Sequence, residues 1–267
     1  MHSLGKIQQS FQRALQSYND NASLQRSIAN RLLTLALHAG LPTQNHRVLE
    51  IGCGTGFLTQ QLATQITIEQ LFINDLISDC EHYVRDLIPI STQSEFLAGS
   101  IEDIKIPKQL DLICSASTLQ WVKNLPELLQ KLTQQLNTKG YLILSSFTKN
   151  HFIEIRSLQN DEPDIQYPLN YWSTSQWREA LTKDYEVLII QSKTHIAYFN
   201  SVKELLMHLR LTGVNGNSRQ RWTQQKFKQF EKAYSEKFQE NGKFKLSYNP
   251  IYIIAQKRID KKSGDIS

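Results

Sequence analysis

The sequence predicts an α/β fold in which helices flank a mostly parallel sheet. Short apolar runs alternate with helical patterns between residues 47 and 147, and one strand candidate runs through a glycine turn into a helix at 47–65. Alternation of this kind is typical of successive βαβ units. The 267 residues of the chain also suffice for one large domain with an insertion.

Composition and charge exclude several classes of protein. No apolar run approaches the length of a membrane-spanning helix, and the polar N-terminus lacks the hydrophobic region of a signal peptide. The three cysteines, Cys53, Cys80 and Cys114, are widely spaced and fit neither a zinc site nor a disulfide framework. We therefore expect a cytoplasmic protein with reduced thiols and no bound metal.

The elements are predicted in chain order from apolar periodicity. Residues 7–37 show helical spacing with a break at 19–21, and Gly40-Leu41-Pro42 ends this N-terminal arm. The core then alternates between strands and helices. Its strand candidates are 47–51, 70–74, 94–98, 110–115 and 140–147, and its helix candidates are 57–65, 77–87 and 125–136.

The C-terminal part is predicted to add two strands and an insertion. Residues 151–159 are predicted to be helical, 160–170 to form a loop, and Trp172–Trp177 to open another helix. Strands at 187–199 and 250–255 are expected to pair antiparallel at the sheet edge. The predicted domains are an arm (1–40), a core (41–200), a helical insertion (201–247) containing an amphipathic helix at 222–239, a last strand (248–257) and a disordered tail (258–267).

The glycine turn after the first strand is the strongest functional signal. It has the form Glu50-x-Gly52-x-Gly54-x-Gly56, and glycine permits positive φ and close approach of a ligand to the backbone. A strand, glycine turn and helix together form a nucleotide-binding βα unit. Taken alone, the three glycines can also be only a tight turn.

Asp75 strengthens the binding interpretation. It ends the next strand about twenty residues after the glycines, where an acid accepts hydrogen bonds from ribose hydroxyls. The alternative is a helix N-cap. Together the turn and the acid resemble the class I S-adenosylmethionine (SAM) methyltransferases, whose cofactor has no phosphates. The resemblance implies a Rossmann-like fold with a seven-stranded, mostly parallel sheet and an antiparallel last strand.

Separated motifs resemble one family, the BioC-type malonyl-[acyl-carrier protein] O-methyltransferases of biotin synthesis. These motifs are Phe11-x-x-Ala14-x-x-x-Tyr18, Leu24-Gln25, Leu49–Gly56, Leu119-Gln120-Trp121-Val122, Leu144–Thr148 with Phe152 and Glu154, His208–Asn215, and Tyr248. The resemblance covers nearly the whole chain. It implies methyl transfer from SAM to the free carboxylate of malonyl-acyl-carrier protein, with S-adenosylhomocysteine as the product.

The resemblance also implies a set of cofactor-binding residues. One departure from the family is the segment Gly99-Ser100-Ile101-Glu102, where relatives often place an acid that bonds the adenine amino group. Ser100 or the backbone would have to serve there. The predicted cofactor-binding residues are Glu50, Gly52, Cys53, Gly54, Gly56, Asp75, Leu76, Ser100, Ile101 and Ser115.

Four residues are predicted to act on the acceptor. Arg210 is expected to clamp the malonyl carboxylate, because it lies in the motif His208–Asn215 that resembles the family's and because arginine offers a planar, two-pronged donor; the alternative is a solvated helix residue. Tyr18 and Trp121 are expected to close the pocket over the methyl group, or else to pack in the core. Gln120 is expected to hydrogen-bond the substrate or to cap the preceding loop.

The net charge of +5 is concentrated late in the chain. Residues 201–245 contain ten basic and four acidic residues, which gives that segment +6. Such a segment can be an ordinary solvated helix face or can steer an acidic partner. Acyl-carrier proteins are strongly acidic, so the resemblance makes this segment the expected docking surface. Neither a membrane nor a nucleic acid is expected as a partner.

Other functions remain open from sequence alone. The glycine turn also fits a SAM methyltransferase of another small carboxylic acid or of a quinone precursor. The basic segment permits an RNA methyltransferase, although no RNA-binding module or Asn-Pro-Pro-Tyr-type motif is present. A SAM-binding module without catalytic activity is the alternative from a different class.

Overall fold

The computed structural model describes residues 4–159, 171–213 and 223–259. The chain forms two compact units. Unit 1 comprises Met1–Leu24, Phe147–Trp172 and Ser192–Ile251, and unit 2 comprises Gln25–Ser146, Ser173–Gln191 and Tyr252–Ser267. The predicted loop at 160–170, the end of the His208–Asn215 motif, Trp222, and residues 260–267 of the predicted tail lie outside the described residues.

The strands form a seven-stranded sheet and a three-stranded sheet. In chain order they are β1 (Gln44–Ile51), β2 (Thr67–Asp75), β3 (Gln93–Ala98), β4 (Leu110–Ala116), β5 (Leu136–Phe147), β6 (Tyr185–Ser192), β7 (His195–Phe199), β8 (Gln239–Glu240), β9 (Lys243–Tyr248) and β10 (Pro250–Lys257). The larger sheet has the order β3-β2-β1-β4-β5-β10-β6.

This arrangement confirms the predicted fold class. The pairs β1–β2, β1–β4, β2–β3 and β4–β5 are all parallel, whereas β10 runs antiparallel to the rest of the sheet. The strand order reverses between β1 and β4. In open α/β sheets, ligands bind outside the carboxyl ends of the strands at such a switch point, which here lies where the glycine turn begins.

The helices have bounds close to those predicted for the core. In chain order they are α1 (Leu4–Asn21), α2 (Ser23–His38), α3 (Phe57–Gln65), α4 (Cys80–Val84), α5 (Leu125–Gln135), α6 (Ile153–Gln159), α7 (Thr174–Thr182), α8 (Val202–Leu211) and α9 (Gln224–Phe238). The predicted helix at 77–87 begins later, at Cys80, and ends in a 3₁₀ turn at Arg85–Leu87. The Asp75 carboxylate accepts the Ile77 N–H (2.9 Å) and so holds Ile77 in the preceding loop.

Local sequence signals explain where two helices begin. Asn124 caps α5 by accepting the N–H of Glu127 at 3.4 Å, and Pro126 sits in the first turn, where its missing N–H costs little. Ser173 and Gln176 form a reciprocal capping box at the start of α7, which confirms the helix predicted to open in this segment.

The prediction of one strand over 187–199 was wrong. The segment divides at Lys193 and Thr194: β6 is the edge strand beside β10, whereas β7 pairs antiparallel with β9 in the smaller sheet. The Asn249 amide donates to the Thr194 hydroxyl (2.6 Å), and the Lys193 N–H donates to the Pro250 carbonyl (3.3 Å). These bonds fix the backbone where the two strands separate.

The insertion is only partly helical, contrary to the prediction. It contains α8 and α9 but also β8 and β9, which pair through Gln239↔Phe244 and Glu240↔Lys243. The predicted domain boundaries at residues 40, 200, 247 and 257 stay predictions. Within the described ranges, no helix is both long enough and apolar enough to cross a membrane.

Candidate functional site

The glycine turn, defined here as Gly52–Gly56, leads from β1 into α3. All three of its glycines have positive φ: 70° at Gly52, 53° at Gly54 and 90° at Gly56. The N–H groups of Gly52 (2.8 Å) and Cys53 (3.1 Å) donate to the carbonyl of Asn74 in β2. The turn is therefore anchored to the neighbouring strand at its beginning.

The three glycines have different surroundings. A Cβ atom on Gly52 would lie 2.2 Å from the Thr118 hydroxyl oxygen, and one on Gly56 would lie 2.4 Å from a methyl group of Leu87. A Cβ on Gly54 would meet no atom within 4 Å. Gly52 and Gly56 thus allow close internal packing, whereas the backbone of Gly54 faces open space that a ligand can occupy.

Asp75 lies at the end of β2 with its carboxylate against the turn. One carboxylate oxygen accepts the Gly54 N–H (2.8 Å) and the other accepts the Ile77 N–H (2.9 Å). Burial raises the pKa of Asp75, and these two backbone hydrogen bonds oppose the rise. Because an ionised carboxylate has about four acceptor sites, capacity remains for ligand hydroxyls.

Glu50 is buried beneath the turn, in β1. One carboxylate oxygen accepts the Thr59 hydroxyl hydrogen bond (2.8 Å). The other, Oε1, has no hydrogen-bond partner in the part of the chain that the structure describes. Burial raises the pKa of Glu50 to about 7, with a further rise from nearby Asp75 and an opposing effect of the Thr59 bond. A buried acceptor of this kind is open to a ligand donor.

The other predicted cofactor residues lie at the same edge of the sheet. Cys53 Sγ is 3.9 Å from the Asp75 carboxylate. A hydrogen bond with the Cys80 thiol, together with burial, raises the pKa of the Cys53 thiol. Leu76 is half-buried directly after β2, and Ile101 is buried in the turn after β3.

The remaining two serines are engaged with the protein. Ser100 is half-buried after β3, and its hydroxyl accepts a hydrogen bond from the Glu102 N–H (3.3 Å). The Ser115 hydroxyl is fully buried in β4 and donates to the Ile51 carbonyl (2.9 Å). The Ser115 side chain therefore ties β4 to β1, and its predicted cofactor contact stays a prediction. Glu102, the first acid after Ser100 in the sequence, accepts hydrogen bonds from the N–H groups of Lys123 (3.1 Å) and Asn124 (2.9 Å).

Two buried residues that support the site were missed by the sequence analysis. The Asn74 amide donates to the carbonyls of Leu97 (2.8 Å) and Gly99 (2.9 Å), so Asn74 connects β2 and β3 to the glycine turn. Thr59 orients Glu50 from α3. The available signal was a polar residue inside each of two apolar patterns, since buried polar groups need partners.

Gln120 and Trp121 lie in a 3₁₀ turn after β4. The Gln120 amide donates to the Ser117 carbonyl (2.6 Å), and its oxygen accepts the Ser146 hydroxyl (3.4 Å). These bonds favour the loop-capping alternative for Gln120. Trp121 is half-buried. Its predicted role at the acceptor pocket stays a prediction.

Tyr18 and Arg210 lie on helices that pack together within unit 1. The Ser17 hydroxyl of α1 donates to the Leu211 carbonyl of α8 (3.4 Å), and the Ser10 hydroxyl donates to the carbonyl of Gly213 (3.1 Å). The sequence neighbours of these contacts are Tyr18, which is half-buried, and Arg210, which is exposed. The helices that carry these two predicted catalytic residues therefore pack together, and a shared site for the two side chains stays a prediction.

Arg210 occupies the last turn of α8 with an uncommitted charge. Within residues 4–159, 171–213 and 223–259, its guanidinium makes neither a hydrogen bond nor an ion pair. The neighbouring His208 differs, since its Nε2 atom lies 2.6 Å from the Tyr248 hydroxyl of β9. The His208–Tyr248 bond fixes α8 to the small sheet and thereby fixes the helix turn that carries Arg210.

The described part of the basic segment presents lysines on α9. Phe230 and Tyr234 are buried, which confirms the amphipathic helix over the residues that are described. Lys228, Lys232 and Lys237 are exposed, and we call them the α9 lysine surface. Lys232 also lies 3.9 Å from Glu236. Arg219 and Arg221 of the predicted basic segment lie outside the described residues.

Sequence comparisons identify methyltransferases. A protein-family model described as a methyltransferase domain matches residues 21–213. The malonyl-[acyl-carrier protein] O-methyltransferase of Acinetobacter baylyi is 36% identical over 255 residues, which cover 94% of this chain and 96% of that protein. The protein of the same name from Calditerrivibrio nitroreducens is 32% identical over 247 residues, covering 92% and 94% respectively.

Comparisons with solved structures support the same fold. The N-methyltransferase NodS of Bradyrhizobium japonicum, solved with S-adenosyl-L-homocysteine, superposes with a TM-score of 0.58 at 14% identity, covering 94% of this chain and 98% of NodS. A protein of Bacillus halodurans described as a methyltransferase gives a TM-score of 0.64 at 17% identity, covering 87% and 100%. At these identities the likeness concerns the fold alone.

Proposed function

Because this chain belongs to the malonyl-[acyl-carrier protein] O-methyltransferase family of SAM-dependent methyltransferases, we propose that it methylates the free carboxylate of malonyl-acyl-carrier protein. The observation that carries this function is identity of 36% along 94% of the chain to a relative of that name. The product is the malonyl methyl ester that primes pimeloyl and biotin synthesis.

The residues at the glycine turn fit the cofactor. Gly54 leaves room for a ligand, Asp75 ends β2 with acceptor capacity for ribose hydroxyls, and Glu50 Oε1 is a buried acceptor that a ligand N–H group can satisfy. When bound, SAM supplies an electrophilic methyl group on a sulfonium, and S-adenosylhomocysteine remains after transfer.

The acceptor needs positioning rather than a general base. A malonyl carboxylate is already ionised near neutral pH, so no proton has to be removed before attack. The protein must hold the carboxylate oxygen in line with the reacting bond, and orientation of this kind can lower a barrier by several kcal/mol. The residues that recognise the carboxylate therefore contribute to catalysis by orienting it.

We assign the carboxylate clamp to Arg210. Its guanidinium is exposed and uncommitted among the described residues, and the turn that carries it is fixed by the His208–Tyr248 bond (2.6 Å). An arginine held in this way offers two parallel N–H groups to a carboxylate. The same unit contributes Tyr18, which we assign to closing the acceptor pocket.

Trp121 and Gln120 receive different proposed roles. Trp121 is half-buried in the turn after β4 and is assigned to contact the acceptor. Gln120 is assigned to shaping that turn, because its amide group already bonds Ser117 and Ser146. Gln120 is thus a positioning residue for Trp121.

The carrier protein is assigned to the basic side of unit 1. The α9 lysine surface is exposed and carries excess positive charge, which complements a strongly acidic carrier. Methylation then removes the negative charge of the malonyl group. The short acyl chain can enter an apolar tunnel without the cost of desolvating a charge.

One assay tests the proposed function against its alternatives. The full chain is incubated with methyl-labelled SAM and, separately, malonyl-acyl-carrier protein, unmodified carrier, a free dicarboxylic acid and tRNA. We expect base-labile label on malonyl-carrier only, as a methyl ester requires. Label on tRNA would indicate an RNA methyltransferase, and label on the free acid would indicate a methyltransferase of another small carboxylic acid. Protein that binds S-adenosylhomocysteine but transfers no label would be a SAM-binding module without catalytic activity.

A further inference from the structure

The guanidinium of Arg26 lies against the residue that follows the glycine turn. Its central carbon is 4.6 Å from the centre of the Phe57 ring, and Phe57 is the first residue of α3. Arg26 belongs to α2, and both residues are in unit 2. From this placement we propose that Arg26 binds the carboxylate at the amino-acid end of the cofactor. The inference rests on the proposed function.

The ligand itself requires such a group. SAM and S-adenosylhomocysteine each end in an amino acid that carries an α-ammonium and an α-carboxylate. The predicted site offers acids for the rest of the ligand: Asp75 for the ribose and Glu50 for an N–H donor. Neither acid can neutralise a ligand carboxylate, and both would repel it. A cation beside the turn would therefore favour binding of that end of the ligand.

Arg26 is positioned for this contact by its aromatic neighbour. Phe57 comes three residues after Gly54, the glycine whose surroundings leave room for a ligand. A guanidinium stacked on a ring uses its flat face for the aromatic contact. Its N–H edge stays available for two parallel hydrogen bonds to a carboxylate.

The charge of Arg26 is also uncommitted. Its side chain is exposed, and across the described ranges no acidic side chain forms an ion pair with it and no acceptor takes a hydrogen bond from its guanidinium. Arg47 differs: it also stacks on an aromatic ring, that of Phe72 at 5.0 Å, but its guanidinium donates to the Lys108 carbonyl (3.1 Å) and to Gln70. Arg26 thus combines a position over an aromatic ring with donors that have no acceptor among the described residues.

The test compares two ligands that differ only in the carboxylate. S-adenosylhomocysteine and its decarboxylated form, S-adenosyl-3-thiopropylamine, are titrated into the wild-type full chain and into Arg26→Gln by calorimetry. We expect Arg26→Gln to weaken S-adenosylhomocysteine binding by about tenfold to a hundredfold, as for loss of a hydrogen bond to a charged group. Binding of the decarboxylated ligand should change by less than about twofold.

Arg31→Gln is the matched control. Arg31 is also exposed on α2 and carries the same charge, but it lies near Tyr252. This variant should leave the affinities for both ligands unchanged. If Arg26→Gln is poorly folded by thermal unfolding, Arg26→Lys replaces it; the lysine keeps the charge, loses the planar fork, and should weaken S-adenosylhomocysteine alone by several-fold.

Two results would overturn the assignment. One is an Arg26 variant that binds S-adenosylhomocysteine as tightly as the wild type. The other is a variant that loses affinity for both ligands equally, which would indicate a general effect on the turn. Failure of the wild-type chain to bind S-adenosylhomocysteine is a separate outcome and would contradict the proposed function instead.

Discussion

Each compact unit buries a glutamate, and the two differ in how their oxygens are satisfied. In unit 1, both carboxylate oxygens of Glu154 accept from Ser247, one from its N–H (2.9 Å) and the other from its hydroxyl. In unit 2, Glu50 has one bond from Thr59 and leaves Oε1 without a partner among the described residues. The carboxylate with a partner on each oxygen joins α6 to β9, whereas the one with an unpartnered oxygen lies beneath the glycine turn.

This difference distinguishes buried polar groups that stabilise the fold from buried polar groups that are available to a ligand. A buried polar group with all its partners holds segments together, and one that lacks a partner costs free energy unless a ligand completes it. Unit 1 has other closed networks, such as Asn249 with Thr148 and Thr194. We infer that the cofactor supplies the missing hydrogen-bond partner at the unit 2 site. In unit 1, the closed hydrogen-bond networks instead stabilise the fold that carries exposed cationic side chains.

The largest expected effect comes from replacing the two glutamates by glutamine. Glu154→Gln turns one of the two accepting oxygens into an N–H₂ group and removes the charge from the other bond, so the free energy of unfolding should fall by about 2 kcal/mol. Glu50→Gln should instead raise the free energy of unfolding near neutral pH, by up to about 3 kcal/mol, because burial of a carboxyl whose pKa rises from 4.5 to about 7 penalises its ionised form and glutamine carries no charge. Chemical denaturation of both variants measures the contrast. Equal losses would remove the distinction between the two carboxylates.

The same pair predicts a pH dependence for the cofactor-free protein. The pKa of Glu50 rises from 4.5 to about 7 on folding, so the folded state retains a proton that the unfolded state releases. Its contribution to stability is therefore complete below the unfolded pKa and is lost as pH rises through about 7. Between about pH 5 and pH 8, wild-type protein should lose up to about 3 kcal/mol more than Glu50→Gln.

Glu127→Gln is the control for that pH series. Glu127 is exposed, and the bond and charge of Lys131 lower its pKa, so its small contribution has the opposite sign. If Glu50→Gln and wild type show the same pH slope, then Glu50 is not the buried group that titrates.

The next effect concerns two glycines, one in each unit. Gly54 (φ +53°) and Gly242 (φ +75°) both have no atom within 4 Å of a built Cβ. Alanine at either position should cost about 1 kcal/mol of stability from the left-handed backbone. Only Gly54→Ala should also weaken S-adenosylhomocysteine, by about tenfold or more, because its methyl group enters the ligand space. A Gly54→Ala protein with wild-type affinity would place the ligand elsewhere.

Arg210→Ala tests the acceptor side of the comparison. Loss of the charge-assisted bonds to the malonyl carboxylate should lower kcat/KM for malonyl-carrier by about tenfold to a hundredfold. Affinity for S-adenosylhomocysteine should stay unchanged. Lys203→Ala removes an exposed charge from the same helix and should retain activity. A fully active Arg210→Ala enzyme would exclude Arg210 from carboxylate binding.

The smallest effect is expected for the α9 lysine surface. Reversal of Lys228, Lys232 and Lys237 to glutamate should raise KM for malonyl-carrier several-fold at low salt, and the difference should shrink as salt screens the charges. The control reverses three exposed lysines of unit 2, namely Lys105, Lys108 and Lys183. Equal KM values for both triple variants would show that the carrier does not select this surface.

The cofactor region could be predicted from sequence because its parts are close along the chain. β1, the glycine turn and α3 occupy 44–65, and the predicted helix at 57–65 has the observed bounds. Glycine spacing, strand patterning and the acid at Asp75 each report local backbone geometry. The partners inside the site, such as Asn74 with Leu97 and Gly99, depend on strand pairing and were not predictable in this way.

Unit 1 was harder to predict because its contacts are distant in sequence. Glu154 and Ser247 are hydrogen-bonded although 93 positions separate them in the sequence, and Thr148 and Asn249 are hydrogen-bonded at a separation of 101 positions. Asn249 received no role from the sequence, yet it bonds the segment between β6 and β7. The polar run Gln191-Ser192-Lys193-Thr194 did mark the division of the predicted strand at 187–199. Its apolar ends made that strand look continuous.

The central claim is that the glycine turn of unit 2 holds SAM. Calorimetric titration of S-adenosylhomocysteine into the folded full chain, and into Gly54→Ala as its paired control, tests it most directly. The account predicts saturable binding with one ligand per chain, weakened by about tenfold or more in the variant. The absence of saturable binding to folded wild-type protein, or equal binding by both proteins, would contradict it.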